Sequence, residues 1–152
     1  MAKLEVYIWQ ERGGDMLYSL SSLHGDYDKN GCLCVMESQS HEVPFEIKRI
    51  YYIYNVAKGV TRGFHAHKTL RQILICVSGK IKVTLDNGIG AHESYLLDNP
   101  TTGLYVGPNM WRTMEWIEAD SVLLVLASEH YDESDYIRDY RQFIDWVGQE
   151  RC

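Results

Sequence analysis

Short segments rich in β-branched and aromatic residues recur along most of this chain, and turn signals follow them. The segments are residues 4–9, 43–54, 73–77, 81–85, 104–106 and 121–127. Ser-Gly, Asp-Asn-Gly and Gly-Pro-Asn follow three of them, at 78–79, 86–88 and 107–109. Because no helical periodicity separates these strands, their spacing predicts an antiparallel sandwich or barrel. We expect residues 15–30 to be irregular or rich in turns.

The carboxyl-terminal segment has a different period. Its apolar residues recur every three or four positions: Tyr136, Ile137, Tyr140, Phe143, Ile144 and Val147. This stripe is typical of an amphipathic helix, and Asp132 or Ser134 is placed to cap its start. Since no linker, repeat or low-complexity segment interrupts the chain, residues 1–152 are predicted to form one all-β domain with a C-terminal α-helix packed outside the barrel.

Composition restricts the function classes. The formal net charge of -6 argues against a nucleic-acid binder, because phosphate backbones select a basic surface. No apolar run could span a bilayer and the start of the chain lacks the sections of a signal peptide, so we expect a cytoplasmic protein with no membrane partner. The four cysteines do not form a paired framework and are expected to be reduced thiols packed as small hydrophobes. Cys32-x-Cys34 is not expected to bind zinc, since it lacks the second pair of a structural zinc site.

Two histidines one residue apart, His65 and His67, are the clearest functional signal. On a strand, alternate residues point to the same face, so the two imidazoles project together while Phe64 and Ala66 face the other way. If that face is the barrel interior, both rings line one cavity. The alternative is a sheet edge, where the rings bond to neighbours and have no further role.

The surrounding residues resemble the metal-binding motifs of the cupin superfamily, small β-barrels in which two His, a Glu and a later His commonly hold a divalent metal. Gly63-x-His65-x-His67 has the spacing of the first motif, but Gln72 fills the position of the Glu and Arg112 that of the later His. Glutamine is a weak neutral ligand, and the permanent charge of arginine repels a divalent ion. We therefore expect no metal, with imidazoles of ordinary pKa near ~6.5 that are available for proton transfer.

A closer resemblance is to the dTDP-sugar 3,4-ketoisomerases. The similar blocks occur in family order at residues 45–53, 62–68, 103–108 and 125–138. The resemblance implies the isomerisation of dTDP-4-keto-6-deoxy-D-glucose to a dTDP-3-keto-6-deoxyhexose, without a cofactor, for 3-amino-3,6-dideoxyhexose synthesis. It also implies a homodimer that exchanges amino-terminal strands, for which Leu4 to Trp9 is the candidate strand.

The same resemblance suggests roles for individual residues. His65 is the expected base at C3 of the sugar, and Tyr51 the group that exchanges protons with the enediolate oxygens or at C4, although these two roles could be reversed. His67 is expected to orient His65 or to bind the sugar. Trp111 and Trp116 are candidates to stack on thymine or to fill the core. The acidic run 132–135 is interpreted as a helix start without a catalytic part.

Four further residues are candidates for substrate binding. Arg49 has the strand parity of Tyr51 and could reach the cavity, whereas Arg62 has the opposite parity from His65 unless a bulge intervenes. Both are candidates for the diphosphate, or ordinary surface arginines. Gln72 is expected to hydrogen-bond to substrate and Arg112 to pair with an anion.

Some expectations stay open. The family often has Asp-x-Arg-Gly-x-Leu near the start, but this chain has Asn30 in place of the arginine, which puts a substrate contact there in doubt. The alternatives are a metal-dependent cupin, a non-catalytic nucleotide-sugar-binding module and a metal-free dTDP-sugar 3,5-epimerase. The configuration of the product at C4 is not determined by the sequence.

Overall fold

The computed structural model describes residues 6–12 and 15–150, which form strands, one short 3-10 turn and an α-helix. The strands are β1 (Val6–Arg12), β2 (Asp15–Ser22), β3 (His24–Asp28), β4 (Gly31–Val35), β5 (Arg49–Ile53), β6 (Thr61–His67), β7 (Gln72–Ser78), β8 (Ile81–Asp86), β9 (His92–Leu97), β10 (Thr102–Val106), β11 (Trp111–Trp116), β12 (Val122–Ala127) and β13 (Tyr136–Ile137). The helix α1 follows at Tyr140–Gln149. The predicted all-β architecture with a C-terminal helix is confirmed.

Two antiparallel sheets make up the body of the fold. One has six strands in the order β1-β2-β10-β7-β12-β5, and the other has five in the order β13-β6-β11-β8-β9. Strands β3 and β4 form a separate hairpin. Sequence neighbours are often not sheet neighbours, as expected of the jelly-roll arrangement of cupins.

The main core lies between the inner faces of the two sheets. Leu74 and Cys76 on β7 pack in the same cluster as Ile81, Val83 and Leu85 on β8. Their two-residue spacing is the period of strands that bury one face. Trp116 is fully buried in this cluster, and its indole nitrogen donates to the backbone oxygen of Ser121 at 2.9 Å. Trp116 therefore fills the core.

The outer face of the six-stranded sheet is covered by the segment that leads into β5. Val43 and Phe45 from this segment pack on Ile73 and Ile75 of β7 and on Leu126 of β12. This cover explains why β7 lacks alternation and is apolar on both faces, as strands buried on both sides are. The segment ends at Arg49, where β5 begins.

The C-terminal helix begins later than predicted. It starts at Tyr140, with the Asp139 side chain accepting from the Gln142 amide at 2.8 Å. Tyr136 and Ile137 instead form β13, which pairs with β6, because Asp139 has an extended backbone that breaks any continuous helix. Asp132 caps only the 3-10 turn at Glu133–Asp135. The helix covers the sheet through Phe143 and Val147, which are buried.

The expectation for residues 15–30 was wrong. Strand β2 pairs with β1 and β10, and β3 pairs with β4. Tertiary pairing stabilises strands whose many polar residues give no periodic apolar signal. The predicted strand at 4–9 is described from Val6 onward and extends to Arg12, whereas Leu4 lies outside the described residues. Within the described ranges, no helix is long and apolar enough to cross a bilayer.

Candidate active site

A β-bulge in β6 sets the direction of the side chains that line the site. His65 pairs with Arg112 and Gly63 with Thr113, so Phe64 is the extra residue, and both Gly63 and Phe64 have positive φ angles, 97° and 56°. The bulge restores the parity of Arg62 relative to His65. The bulge required for Arg62 to face the cavity is present.

Glycine is required at position 63 by space as well as by backbone conformation. A Cβ atom there would lie 2.7 Å from the carbonyl oxygen of Arg112, a distance that backbone atoms could not accommodate without moving. The bulge thus holds β6 close against β11, and this close contact positions His65 opposite Arg112.

The inner face of β6 opens on a cavity of about 430 Å³. Its lining brings together four of the predicted site residues: Arg49, Tyr51, Arg62 and His65. Tyr131, Tyr136 and Arg138 complete the polar side of the wall. The cavity therefore combines titratable groups with three arginines, a combination suited to an anionic substrate.

A second cavity, of about 510 Å³, adjoins the first and shares Arg49, Tyr131 and Tyr136 with it. His67, Lys68 and the loop at 129–135 line this second space. Lys68 is anchored by donating to the backbone oxygen of Ser134 at 2.7 Å. The two histidines thus belong to the same region but line different cavities.

Tyr51, Gln72 and Arg112 are joined by side-chain hydrogen bonds. The Gln72 amide nitrogen donates to the Tyr51 hydroxyl at 2.8 Å, and Arg112 Nη1 donates to Gln72 Oε1 at 2.5 Å. Arg112 also donates through Nη2 to the backbone oxygen of Met110. Gln72 and Arg112, predicted to contact substrate, are 2% and 1% exposed, so both are engaged mainly within the protein.

His65 has an environment that disfavours its charged form. Burial, and then the positive charge of Arg112, lower the pKa of His65 to about 4. Its Nδ1 atom is buried and has no hydrogen-bond partner among residues 6–12 and 15–150. The expectation of an ordinary imidazole pKa was wrong, because burial disfavours the charged ring and the nearby Arg112 cation then repels the proton. His65 is neutral at pH 7.

His67 is held by an aspartate that the sequence analysis placed only at a helix start. Its Nδ1 atom lies 2.9 Å from Asp135 Oδ2, and Asp135 Oδ1 accepts from both the backbone nitrogen and the hydroxyl of Thr69. Burial, Arg112 and His65 lower the pKa of His67, so the contact is a hydrogen bond from a neutral ring, not an ion pair. Asp135 thereby contributes to the site, contrary to the interpretation of the acidic run.

Tyr136 is a second site residue that sequence analysis missed. Its ring centroid lies 5.1 Å from that of His65 and 4.2 Å from that of His67, and Arg138 covers it at 4.2 Å. Glu133 binds Arg138 with two hydrogen bonds. The helical interpretation of 136–147 concealed this position, although the aromatic residue directly after an acidic run offered a signal.

Trp111 contacts the helix, not the cavities. Its ring packs against Tyr140 and Phe143, with centroids 5.2 and 5.6 Å apart. Neither Trp111 nor Trp116 lines the two cavities described above. Their positions favour the packing alternative over thymine stacking.

The donor set does not suit a divalent metal. The position opposite His65 is filled by the Arg112 cation, and Gln72 Oε1 is occupied by that guanidinium. Across the part of the chain that the structure describes, no group of three or more His, Cys, Asp or Glu residues could hold a metal ion. The position beside the two imidazoles therefore holds a cation and a neutral amide, where a divalent metal site would include an anionic ligand.

Comparisons with known proteins agree with this fold and identify the family. The family model described as "FdtA: WxcM-like, C-terminal" matches residues 16–148. A TDP-4-oxo-6-deoxy-alpha-D-glucose-3,4-oxoisomerase of Aneurinibacillus thermoaerophilus is 44% identical over 122 residues, which cover 80% of this chain and 86% of that protein.

Solved structures agree as well. A mutant of the 3,4-ketoisomerase QdtA from Thermoanaerobacterium thermosaccharolyticum, in complex with TDP-4-keto-6-deoxyglucose, has 43% sequence identity and a TM-score of 0.83, covering 87% of this chain and 94% of that chain. A 3,4-ketoisomerase from Helicobacter canadensis has 43% identity and a TM-score of 0.82, covering 86% of this chain and 97% of that one.

Fold and site together define the class: a cupin-type antiparallel β protein in which an arginine lies opposite the first histidine of the pair and bonds to a buried glutamine. Within this class, the chain belongs to the FdtA family, the sugar 3,4-ketoisomerases.

Proposed function

We propose that this protein isomerises dTDP-4-keto-6-deoxy-D-glucose to a dTDP-3-keto-6-deoxyhexose by acid-base catalysis. The observation that carries the proposal is the cavity in which neutral His65, Tyr51 and the arginines Arg49 and Arg62 meet. The substrates named for the relatives support this choice of sugar nucleotide. We expect the product to serve 3-amino-3,6-dideoxyhexose synthesis.

His65 is the proposed base. The C4 ketone acidifies the C3 hydrogen, and a neutral imidazole accepts that proton to leave an enediolate across C3 and C4. Protons then add to C4 and to O4, and the O3 hydroxyl loses its proton, so that the ketone lies at C3 with no net change in protons or electrons. Because neither hydride acceptor nor electron sink is needed, positioned acids and bases suffice.

Tyr51 is the proposed proton donor and acceptor on the other side of the reaction. Burial raises the pKa of its phenol, so the hydroxyl is protonated at neutral pH. The nearby Arg112 charge opposes this shift and also favours an anionic intermediate. His67, oriented by Asp135, is proposed to bind the sugar or to support His65, whose ring centroid is 4.9 Å away.

Arg49 and Arg62 are proposed to bind the diphosphate. The Arg49 guanidinium lies 5.4 Å from the Tyr51 ring and 5.7 Å from the Tyr131 ring, and within the described ranges its buried Nε atom has no hydrogen-bond partner. A phosphate oxygen would supply the acceptor that this atom lacks. Arg62 is exposed at the same cavity and can swing toward the second phosphate.

The quaternary state and compartment belong to the same proposal. We expect a homodimer with exchanged amino-terminal strands, in which β1 would form with β2 of the partner the pairing that it forms here with β2 of its own chain. Sedimentation velocity measures the dimer. A reducing cytoplasm suits Cys32, Cys34 and Cys76, which are all free thiols.

Proton NMR of the sugar nucleotide in heavy water, with metal-stripped protein, tests the activity. Wild type should introduce deuterium at C4 as the ketone moves to C3, and the H4–H5 coupling constant of product formed in ordinary water would give the product configuration. His65→Asn should lose turnover, whereas His41→Asn, at an exposed histidine, should retain it. Turnover by the Tyr51→Phe protein should also fall, on the order of 100-fold or more, which is the usual contribution of a positioned acid or base.

Each rival makes a different spectrum. A 3,5-epimerase would keep the ketone at C4 and exchange hydrogens at C3 and C5. A binding module would leave the sugar unlabelled, and a metal-dependent enzyme would recover activity only when a divalent ion is added. Any of these results would refute the proposed reaction.

A further inference from the structure

The amide of Gln72 has one permitted orientation. Its oxygen faces the guanidinium of Arg112, which has only N–H donors, and its nitrogen faces the Tyr51 hydroxyl. Reversing the amide would place two donors against each other at a site where Gln72 is 2% exposed. Arg112 thus fixes the direction of every hydrogen bond in the chain Arg112 to Gln72 to Tyr51.

This direction has a consequence for the phenol. Since the Tyr51 oxygen accepts a hydrogen bond from Gln72, the phenolic hydrogen must point elsewhere. Among residues 6–12 and 15–150, none accepts a hydrogen bond from Tyr51, and the ring lines the cavity shared with His65 and Arg62. The free hydrogen is therefore available to whatever occupies that cavity.

We infer that Gln72 is a positioning residue that keeps Tyr51 as a hydrogen-bond donor toward the reacting sugar, with Arg112 setting the orientation of the amide. The inference rests on the proposed function for its reaction, and on the three side chains for its geometry. It differs from the expectation that Gln72 bonds to the substrate itself, because one end of the amide is held by Arg112 and the other by Tyr51.

The hydrogen-bonded series from Arg112 through Gln72 to Tyr51, here called the relay, also connects an arginine that lines neither cavity to a tyrosine that does. Arg112 is fully enclosed, and burial lowers the pKa of its guanidinium to about 10, which still leaves it charged at neutral pH. In the described part of the chain, the Arg112 guanidinium donates to Gln72 and to the Met110 backbone oxygen, and none of its hydrogen bonds goes to a carboxylate. Because the Gln72 amide is neutral, the Arg112 charge polarises it and, through it, the Tyr51 hydroxyl. A carboxylate at position 72 would instead cancel the positive charge of Arg112.

Gln72→Glu separates positioning from packing. The introduced carboxylate has nearly the same shape as the amide and would pair with the buried Arg112, so the fold should be retained. A carboxylate accepts hydrogen bonds only, so the Tyr51 hydroxyl would turn to donate to it and away from the sugar. We expect kcat to fall on the order of 100-fold or more while KM changes by less than about threefold.

Gln72→Met provides the matched comparison. It removes both hydrogen bonds, keeps an unbranched side chain of similar size and leaves the phenolic hydrogen free to point at the sugar. The expected loss in kcat is smaller, about tenfold, because Tyr51 loses only the hydrogen bond that anchors its oxygen and keeps its own hydrogen free for the sugar. The order of activity should therefore be wild type, then Gln72→Met, then Gln72→Glu, although the last preserves the charge pairing best.

A second measurement does not depend on turnover. With tyrosine labelled at Cζ, the Tyr51 resonance is assigned by its loss in Tyr51→Phe, and its carbon shift reports whether the hydroxyl donates or accepts. In Gln72→Glu the resonance should move toward the phenolate value at neutral pH. Circular dichroism and thermal unfolding verify that each variant is folded.

The outcomes are distinct. If folded Gln72→Glu has the kcat of wild type, or if its Tyr51 resonance does not move, the positioning role is wrong and Gln72 only fills space. If wild type fails to convert the nucleotide sugar but the Tyr51 resonance moves as expected, the proposed function fails while the relay stands.

Discussion

Nδ1 of His67 donates to Oδ2 of Asp135 across 2.9 Å, so the second imidazole of the pair is held as a single tautomer. A carboxylate can only accept, which places the ring hydrogen on Nδ1 and leaves a lone pair on Nε2. That Nε2 atom is buried without a partner in the described part of the chain. His67 thus presents an acceptor, not a donor, to the site.

Asp135→Asn should reverse this tautomer. The Thr69 backbone N–H requires an oxygen on its side of residue 135, so the new amide NH₂ would face His67 and turn Nδ1 into an acceptor. Nε2 would then carry the hydrogen, and we expect activity to fall on the order of 100-fold. Nitrogen-15 NMR of the histidines identifies the tautomer directly, and steady-state assays give kcat and KM.

Thr69→Val is the control for Asp135→Asn. It removes only the hydroxyl bond to Asp135 and keeps the carboxylate on His67. Its activity should stay within about threefold of wild type, the effect of one ordinary hydrogen bond. An Asp135→Asn protein with normal activity and an altered tautomer would exclude a role for the His67 lone pair.

Gly63→Ala should destabilise the protein and displace His65. The φ angle of 97° already strains any L side chain, and the new Cβ would meet the Arg112 carbonyl at 2.7 Å. We expect the free energy of unfolding to fall by about 3 kcal/mol, as strain and overpacking combine. Urea denaturation measures this loss, and turnover should fall because the bulge sets the positions of His65 and Arg62.

Gly59→Ala isolates the backbone contribution. Gly59 has a φ of 82° but no atom within 4 Å of the position of a Cβ. Gly59→Ala should lower the free energy of unfolding by only about 1–2 kcal/mol and leave activity unchanged. Equal destabilisation by the two substitutions would show that close contact between β6 and Arg112 is unimportant.

Much of the fold follows from local sequence. The strands around the core are indicated by apolar runs that end in Ser-Gly or Asp-Asn-Gly turns, and His65 and His67 by their spacing. Strand β13 could not be found, because Tyr136 and Ile137 also fit a helical stripe and only pairing with β6 makes them a strand.

Contacts distant in sequence set the remaining properties of the site. Asp135 is 68 positions from His67, and Arg112 is 40 positions from Gln72, so neither hydrogen bond has a local signature. The same separation explains the error in the His65 pKa, since the burial and charge that lower this pKa come from the assembled sheets. The bulge at Gly63, by contrast, could be named from the sequence as a condition. Arg62 and His65 have opposite strand parity, so both can face the cavity only if a bulge lies between them.

Protein stability should decline as the pH falls from about 6.5 to 4. The folded-state pKa of His65 is about 4, so in this range the unfolded chain binds the proton more tightly and acid favours unfolding. The full contribution of His65 is present above pH 6.5 and is lost toward pH 4, on the order of 3 kcal/mol. His67, also lowered, adds in the same direction.

Urea denaturation at a series of pH values measures that slope. His65→Asn should make the slope shallower, because asparagine does not titrate and only the part from His67 remains. His41→Asn, at an exposed site, should leave the slope unchanged. Parallel slopes in wild type and His65→Asn would mean that His65 titrates normally in the folded state.

The pH dependence of catalysis should follow the same histidine. If neutral His65 removes the C3 proton, kcat/KM of the free enzyme should stay level from pH 7.5 down to about 5 and decline around pH 4, not near 6.5. The low pKa, which comes from burial and then from the Arg112 charge, weakens His65 as a base. The same charge favours the negative enediolate, so its two effects oppose each other. Rates must be taken in brief assays at each pH, with circular dichroism showing that the protein is still folded.

A decline of kcat/KM centred near pH 6.5 in folded protein would mean that the titrating base is not held in the environment of His65. A pH-independent rate through pH 4 would exclude His65 as the base altogether.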